Sequence, residues 1–122
     1  MQYSKEVLHY FFENLHAGKL DKDDPKVRYG EIATSTEGHF FRLYLRCQND
    51  IITEAKFQAY APIVATAACE YVCRWAKSKK LDEANYLDRN QIQKALNLSS
   101  LQVHVAFLIE RLWRKTLLAQ VF

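Results

Sequence analysis

The chain has 122 residues and a mass of 14.3 kDa, with 49% hydrophobic and 25% charged residues and only three glycines and two prolines. That composition excludes intrinsic disorder and collagen-like repetition, and it predicts a single domain over residues 1–122 that buries roughly two-thirds of its unfolded surface without an obligatory disulfide or metal. Seventeen basic residues against fourteen acidic ones give a formal charge of +3 and a pI near 8.8, too mild a balance to imply nucleic acid.

Three cysteines, Cys47, Cys69 and Cys73, make an odd number without a disulfide framework. Charged residues Lys5 and Glu6 stand where a secretory signal needs an apolar stretch, and no apolar run reaches the roughly 18 residues of a membrane span. A reducing, cytoplasmic location and no membrane contact are expected.

Ser4 is placed to cap a first helix, with Tyr3 and Leu8 as a hydrophobic staple. Val7, Leu8, Phe11, Phe12 and Leu15 follow at helical spacing, and Gly18 is the predicted stop. Lys19 to Lys26 form a charged turn segment, after which Val27 to Phe57 change to an alternating period. Phe41, Leu43, Leu45 and Cys47 fall on one face of a strand, with Arg42 and Arg46 on the other. Gln48-Asn49-Asp50 supplies a turn, and Ala55, Phe57 and Ala59 oppose Glu54, Lys56 and Gln58 in a second strand, which reads as an antiparallel hairpin.

Pro62 suits the first turn of a helix whose residues Ala65, Ala68, Cys69, Val72, Cys73 and Ala76 form a small apolar stripe. The basic residues Arg74, Lys77, Lys79 and Lys80 suit its C-terminal end as a solvated cluster. Asp88 with Gln91, and Ser99 with Gln102, read as capping boxes that open two more helices. The last helix is expected from about Leu101 towards Ala119, with Val103 to Ile109 apolar on nearly every side and hence best buried. Grouped strands followed by grouped helices predict an α+β fold, a small three-stranded antiparallel sheet with helices packed on one face.

Phosphate loops, nucleophile elbows, HExxH and CxxC motifs are all missing. The lysines cluster at loop and helix ends and the aromatics follow core periodicity, so a nucleic-acid surface is not expected.

Tyr3 to Leu8, Gly18 to Asp21, Val27, Gly30, Ile51 to Tyr60, Trp75, Lys80 to Ala84 and Leu98 to His104 together resemble the IscU scaffold, or NifU N-terminal domain, over nearly the whole chain. The resemblance implies an IscU/NifU-N-like, SufE-like architecture and a role in iron-sulfur cluster assembly. Such scaffolds hold a [2Fe-2S] cluster on three cysteines beside an aspartate and a histidine, and receive sulfur from a cysteine desulfurase. Thiolates matter because they are soft anionic ligands, and one must accept persulfide sulfur.

By that resemblance the family's Cys-Gly-Asp turn falls on Glu37-Gly38-His39, its Gly-Cys-Gly on Ala61-Pro62-Ile63, and its His-Cys pair on His104-Val105. The proline pair of the chaperone-docking segment falls on Ser99-Ser100. The expectation is a scaffold homologue that has lost its cluster ligands. It would be no enzyme, and would bind cysteine desulfurase or another assembly protein, or self-associate with a complete scaffold.

Glu37, His39 and His104 form the remnant, converging at one end of the family's fold. Two imidazoles and a carboxylate match a zinc or non-haem iron set, with bonds near ~2.0 to 2.2 Å. The plainer reading is that His39 caps a strand, His104 packs in the first turns of its helix and Glu37 is solvated. Cys69 and Cys73 lie four apart on one helix face, yet within the apolar stripe, so buried structural thiols are expected; Cys47 alternates inward. His9 and His16 flank the first helix without an assigned role.

Overall fold

The computed structural model describes residues 2–35 and 37–119. Its elements run α1 (Lys5–Phe12), β1 (Val27–Ala33), β2 (Phe40–Gln48), β3 (Ile51–Tyr60), α2 (Ile63–Ala76), α3 (Leu81–Ala84), α4 (Arg89–Leu96) and α5 (Val103–Leu117). The strands form one antiparallel sheet in the order β1-β2-β3, whose β2–β3 hairpin is the one the alternating pattern predicts. Asn49 and Asp50 take positive φ angles of 53° and 63°, the backbone a tight hairpin turn needs and one that these two residue types tolerate. A register shift between Arg46 and Cys47 marks a bulge just before that turn.

Phe41, Leu43, Leu45, Ala55 and Phe57 turn inward and are buried against α2 and α5. Across the sheet, Arg46 pairs with Asp24 at 2.8 Å and Glu54 at 3.0 Å. These pairs help hold the charged 19–26 segment over part of the outer face, so Val27 and Tyr44 are buried although they point away from the helices. Below residues 19–23 lies an open trough of about 750 Å³ floored by Tyr29, Tyr44 and Gln58.

Three expectations about the helices need correction, and a fourth point is a helix the sequence does not announce. The first helix stops at Phe12 with Glu13 as its C-cap, well before Gly18. Residues 16–18 extend along β3 instead: Ala17 bridges Phe57, the Gly18 N–H donates to the Phe57 carbonyl at 2.8 Å, and the Phe57 N–H donates to the His16 carbonyl at 3.0 Å. Edge pairing outweighs the apolar spacing that suggested another helical turn.

Second, the Ser99 N–H does donate to the Gln102 side chain at 3.2 Å, but the residues between make a turn, and α5 starts at Val103. Third, α2 is buried on nearly every side while Phe107 of α5 faces solvent. Small side chains let α2 sit between the sheet, α1 and α5; the bulkier α5 keeps a solvent face. Fourth, the short α3 has no counterpart in the sequence reading. It supplies the Ala84 carbonyl that accepts the fully buried Trp113 Nε1–H at 2.9 Å.

Ser4 and Asp88 cap their helices as expected, but the Gln91 side chain donates to the Tyr71 hydroxyl at 2.9 Å and does not complete a capping box with Asp88. The Ser4 hydroxyl accepts the Val7 N–H at 3.0 Å, and the Asp88 carboxylate accepts the Gln91 N–H at 2.9 Å. At Gly30, β1 meets α5 so closely that a Cβ would lie 2.3 Å from Thr116 Oγ1.

Candidate functional site

The loop from β1 to β2, the junction of β3 with α2 and the first turn of α5 meet at one corner. Glu37 and His39 come from the loop, Pro62 caps α2, and His104 and Val105 open α5. These five line one cavity of about 180 Å³, closed by Thr34, Phe41, Ala65 and Leu108. The three candidate ligands are therefore neighbours.

Their geometry is only partly that of a metal site. His39 Nδ1 lies 3.2 Å from Glu37 Oε2, the imidazole largely covered and the carboxylate mostly in water. The His39 carbonyl accepts the Thr34 N–H at 2.9 Å just before β2, so its backbone does close the strand end. His104 is exposed at the mouth of the cavity, away from the tight packing expected of it. Among the described residues, no three His, Cys, Asp or Glu side chains come together as a group that could hold an ion. The buried Thr34 hydroxyl has no hydrogen-bond partner among the described residues.

A second concavity of about 580 Å³ shares Glu37, His39 and Pro62 with the first and continues along Phe11, Ala59, Tyr60, Ala61 and Thr66. The exposed ring of Tyr60 stacks on Phe40, centroids 6.2 Å apart. Together they make a corner with a small semi-polar cavity and an aromatic-edged groove.

All three cysteines are free, and none lines the corner cavity or its groove. Cys69 and Cys73 are fully buried within α2, and burial pushes both thiols far above their usual range. Burial also raises the half-buried Cys47 thiol, with Arg28 opposing it. Thiolate is the nucleophilic and metal-binding form, and burial disfavours it at all three.

The sequence reading passed over Glu70, the charged side chain in the middle of the alanine-rich stripe. It is fully buried and binds His16 and Arg74, so His16 has a structural role and Arg74 is no solvated helix end. The sequence offers only an acidic residue beside the apolar stripe; once α2 is buried nearly all round, that carboxylate must find a cation or donor.

Comparison with known proteins identifies the class. The model of the NifU-like N terminal domain matches residues 2–118, and this chain belongs to that family. The iron-sulfur cluster assembly scaffold protein IscU of Haemophilus influenzae is 32% identical over 111 residues, covering 90% of this chain and 88% of that protein. IscU of Azotobacter vinelandii is likewise 32% identical, covering 90% and 87%. Among solved structures, a protein described as a SUF-system scaffold from Fervidobacterium islandicum superposes with a TM-score of 0.71 at 19% identity, covering 94% of this chain and 96% of that one. A NifU-like N-terminal structure from Brucella abortus gives 0.68 at 13%, covering 93% and 92%. The two structures establish the α+β fold, and the family match carries the relation to iron-sulfur assembly scaffolds. Among the described residues no helix is long and apolar enough to cross a membrane.

Proposed function

We propose that this chain is an interaction or regulatory module of iron-sulfur assembly, which binds a cysteine desulfurase or another assembly protein in the cytoplasm and catalyses no reaction itself. The observation that carries the reading is the chemistry of the corner. The positions that the resemblance gives to thiolate ligands, Glu37, Pro62 and Val105, line one cavity with no cysteine on it. A carboxylate, a pyrrolidine ring and an isopropyl group cannot accept persulfide sulfur or supply the terminal thiolate ligands of a cysteine-held cluster. The donor set does not fit a cysteine-held cluster. What persists is the family fold, and beside the corner this chain carries an aromatic-edged groove suited to a protein surface.

Pull-down with a cysteine desulfurase, coupled to a sulfide-release assay, tests this directly. Binding, or an altered rate of sulfide release, is expected; absence of both overturns the reading. Self-association with a complete scaffold is a further form of the same role, and size-exclusion of the mixed proteins detects it.

A second reading is favoured by one feature, the Thr34 hydroxyl, which has no partner among the described residues and lines the cavity with two imidazoles and a carboxylate. Here Glu37, His39 and His104 would bind zinc or ferrous iron, after His104 turns inward from its exposed position. Titration of Zn(II) or Fe(II) into the protein and into His104→Ala separates the cases. Stoichiometric binding lost in the variant supports it, and equal weak binding removes it.

A further inference from the structure

Among the described residues Glu70 is the fully buried charged side chain, and both of its oxygens are engaged. Oε1 accepts the His16 backbone N–H at 2.8 Å, while Oε2 lies 2.7 Å from His16 Nδ1 and accepts Arg74 Nε–H at 2.8 Å. Arg74 also donates to the Glu13 carbonyl, lies 3.3 Å from His9 Nε2 and sits over the Tyr10 ring at 4.9 Å. Apart from Glu70 and Arg74 on α2, every group in this network belongs to residues 9–16.

Beyond this network the N-terminal segment is held by the packing of α1 on α2 and α4 and by the Ser4 hydroxyl, which donates to the Leu96 carbonyl at 2.5 Å. Val7 is its one fully buried hydrophobic residue; Tyr3, Tyr10 and Phe11 are half-buried, and Phe12 and Leu15 are 76% and 67% exposed. Its link to the sheet is the pair of backbone bonds between Phe57 and residues 16 and 18. Thin apolar burial and polar anchorage define a unit of low local stability. A buried carboxylate deprived of its partners is costly, so the pieces of this unit must dock together or release together.

We propose that residues 4–18 form an arm that opens cooperatively, latched shut by Glu70 through His16 and Arg74, and that the closed arm sets Phe11 as one wall of the groove beside the corner cavity. Glu70 is thus a positioning residue for the groove, and it touches neither the groove nor the cavity. That the groove docks a protein rests on the proposed function; the latch does not.

Native-state hydrogen exchange on the full chain tests this. The amides of Phe11, Gly18 and Phe57 should exchange at a common rate, faster than those of β2 and α5. Glu70→Gln should speed that group about tenfold or more and leave β2 unchanged. Arg74→Lys, which keeps the cation, should restore most of the protection lost in Arg74→Ala. Should Glu70→Gln fail to fold, His16→Asn, at a partly exposed position, gives the same reading. Arm amides that exchange only with the whole molecule, or a variant that speeds all amides equally, would overturn the latch. Desulfurase that ignores the wild-type chain, while the arm responds to Glu70→Gln, counts against the proposed function alone.

Discussion

Replacing Gly30 by alanine probes the contact that fixes α5 on the sheet. The new Cβ would lie 2.3 Å from Thr116 Oγ1 and 3.0 Å from both the Thr116 Cα and N. The hydroxyl alone could rotate, but it donates to the Leu112 carbonyl at 2.8 Å inside the helix, and the backbone atoms cannot yield without moving α5. Overpacking of this kind costs about 1–3 kcal/mol, and the involvement of backbone puts this site at the upper end. For a chain of this length 1 kcal/mol corresponds to about 4 °C in Tm, so a loss of about 10 °C is expected. Thermal and urea unfolding followed by circular dichroism measure it. Thr116→Ala in the same chain should recover only part of the loss, because it removes Oγ1 and leaves Cα and N in place. A Gly30→Ala protein within ~0.5 kcal/mol of the wild type would refute the close approach of β1 and α5.

Other consequences are equally direct. Cys69 and Cys73 should resist a thiol reagent in the native protein at neutral pH and react at once in denaturant, because burial raises both thiols and leaves little thiolate; rapid native labelling would contradict their placement. Burial and the hydrogen bond to Glu31 push the Tyr29 hydroxyl up to about 12. Burial also raises Tyr71, so ultraviolet titration should show late-ionising tyrosines, of which the Tyr29 component alone moves earlier in Glu31→Gln. Since the folded state then holds a proton the unfolded state has released, Tyr29 makes stability fall as pH rises from its ordinary 10 towards 12. Trp113→Phe should lose about 2 kcal/mol, since it orphans the Ala84 carbonyl and empties volume in the core; an unchanged denaturation midpoint would show that carbonyl to be otherwise satisfied.

The strands were legible because a half-buried sheet imposes a period of two on its side chains. Phe41, Leu43 and Leu45 carry that period, and Asn49-Asp50 has the turn chemistry that joins β2 to β3. The alanine and cysteine stripe of α2 was legible for the same reason, since small residues at helical spacing mark close packing. The end of α1 was not: Phe11, Phe12 and Leu15 continue a helical pattern, and only the β3 edge explains why the chain leaves it. Burial along α5 was misread because Phe107 is apolar yet faces solvent, with the Arg89 guanidinium over its ring at 4.6 Å.

The corner itself is not written in any local pattern. Glu37, Pro62 and His104 are far apart in the chain, and the family resemblance brought them together before the coordinates did. Glu70 was missed because a single charge among apolar residues looks like a solvated position until the helix proves to be surrounded.

Anaerobic reconstitution of the purified chain with ferrous iron and sulfide, read by visible absorption and by iron and sulfide analysis, bears most directly on the proposal that the corner cannot hold a cysteine-ligated cluster. Iron and sulfide well below one cluster per chain, without ferric-sulfide absorption bands, are expected. A stoichiometric, stable [2Fe-2S] centre would contradict the account.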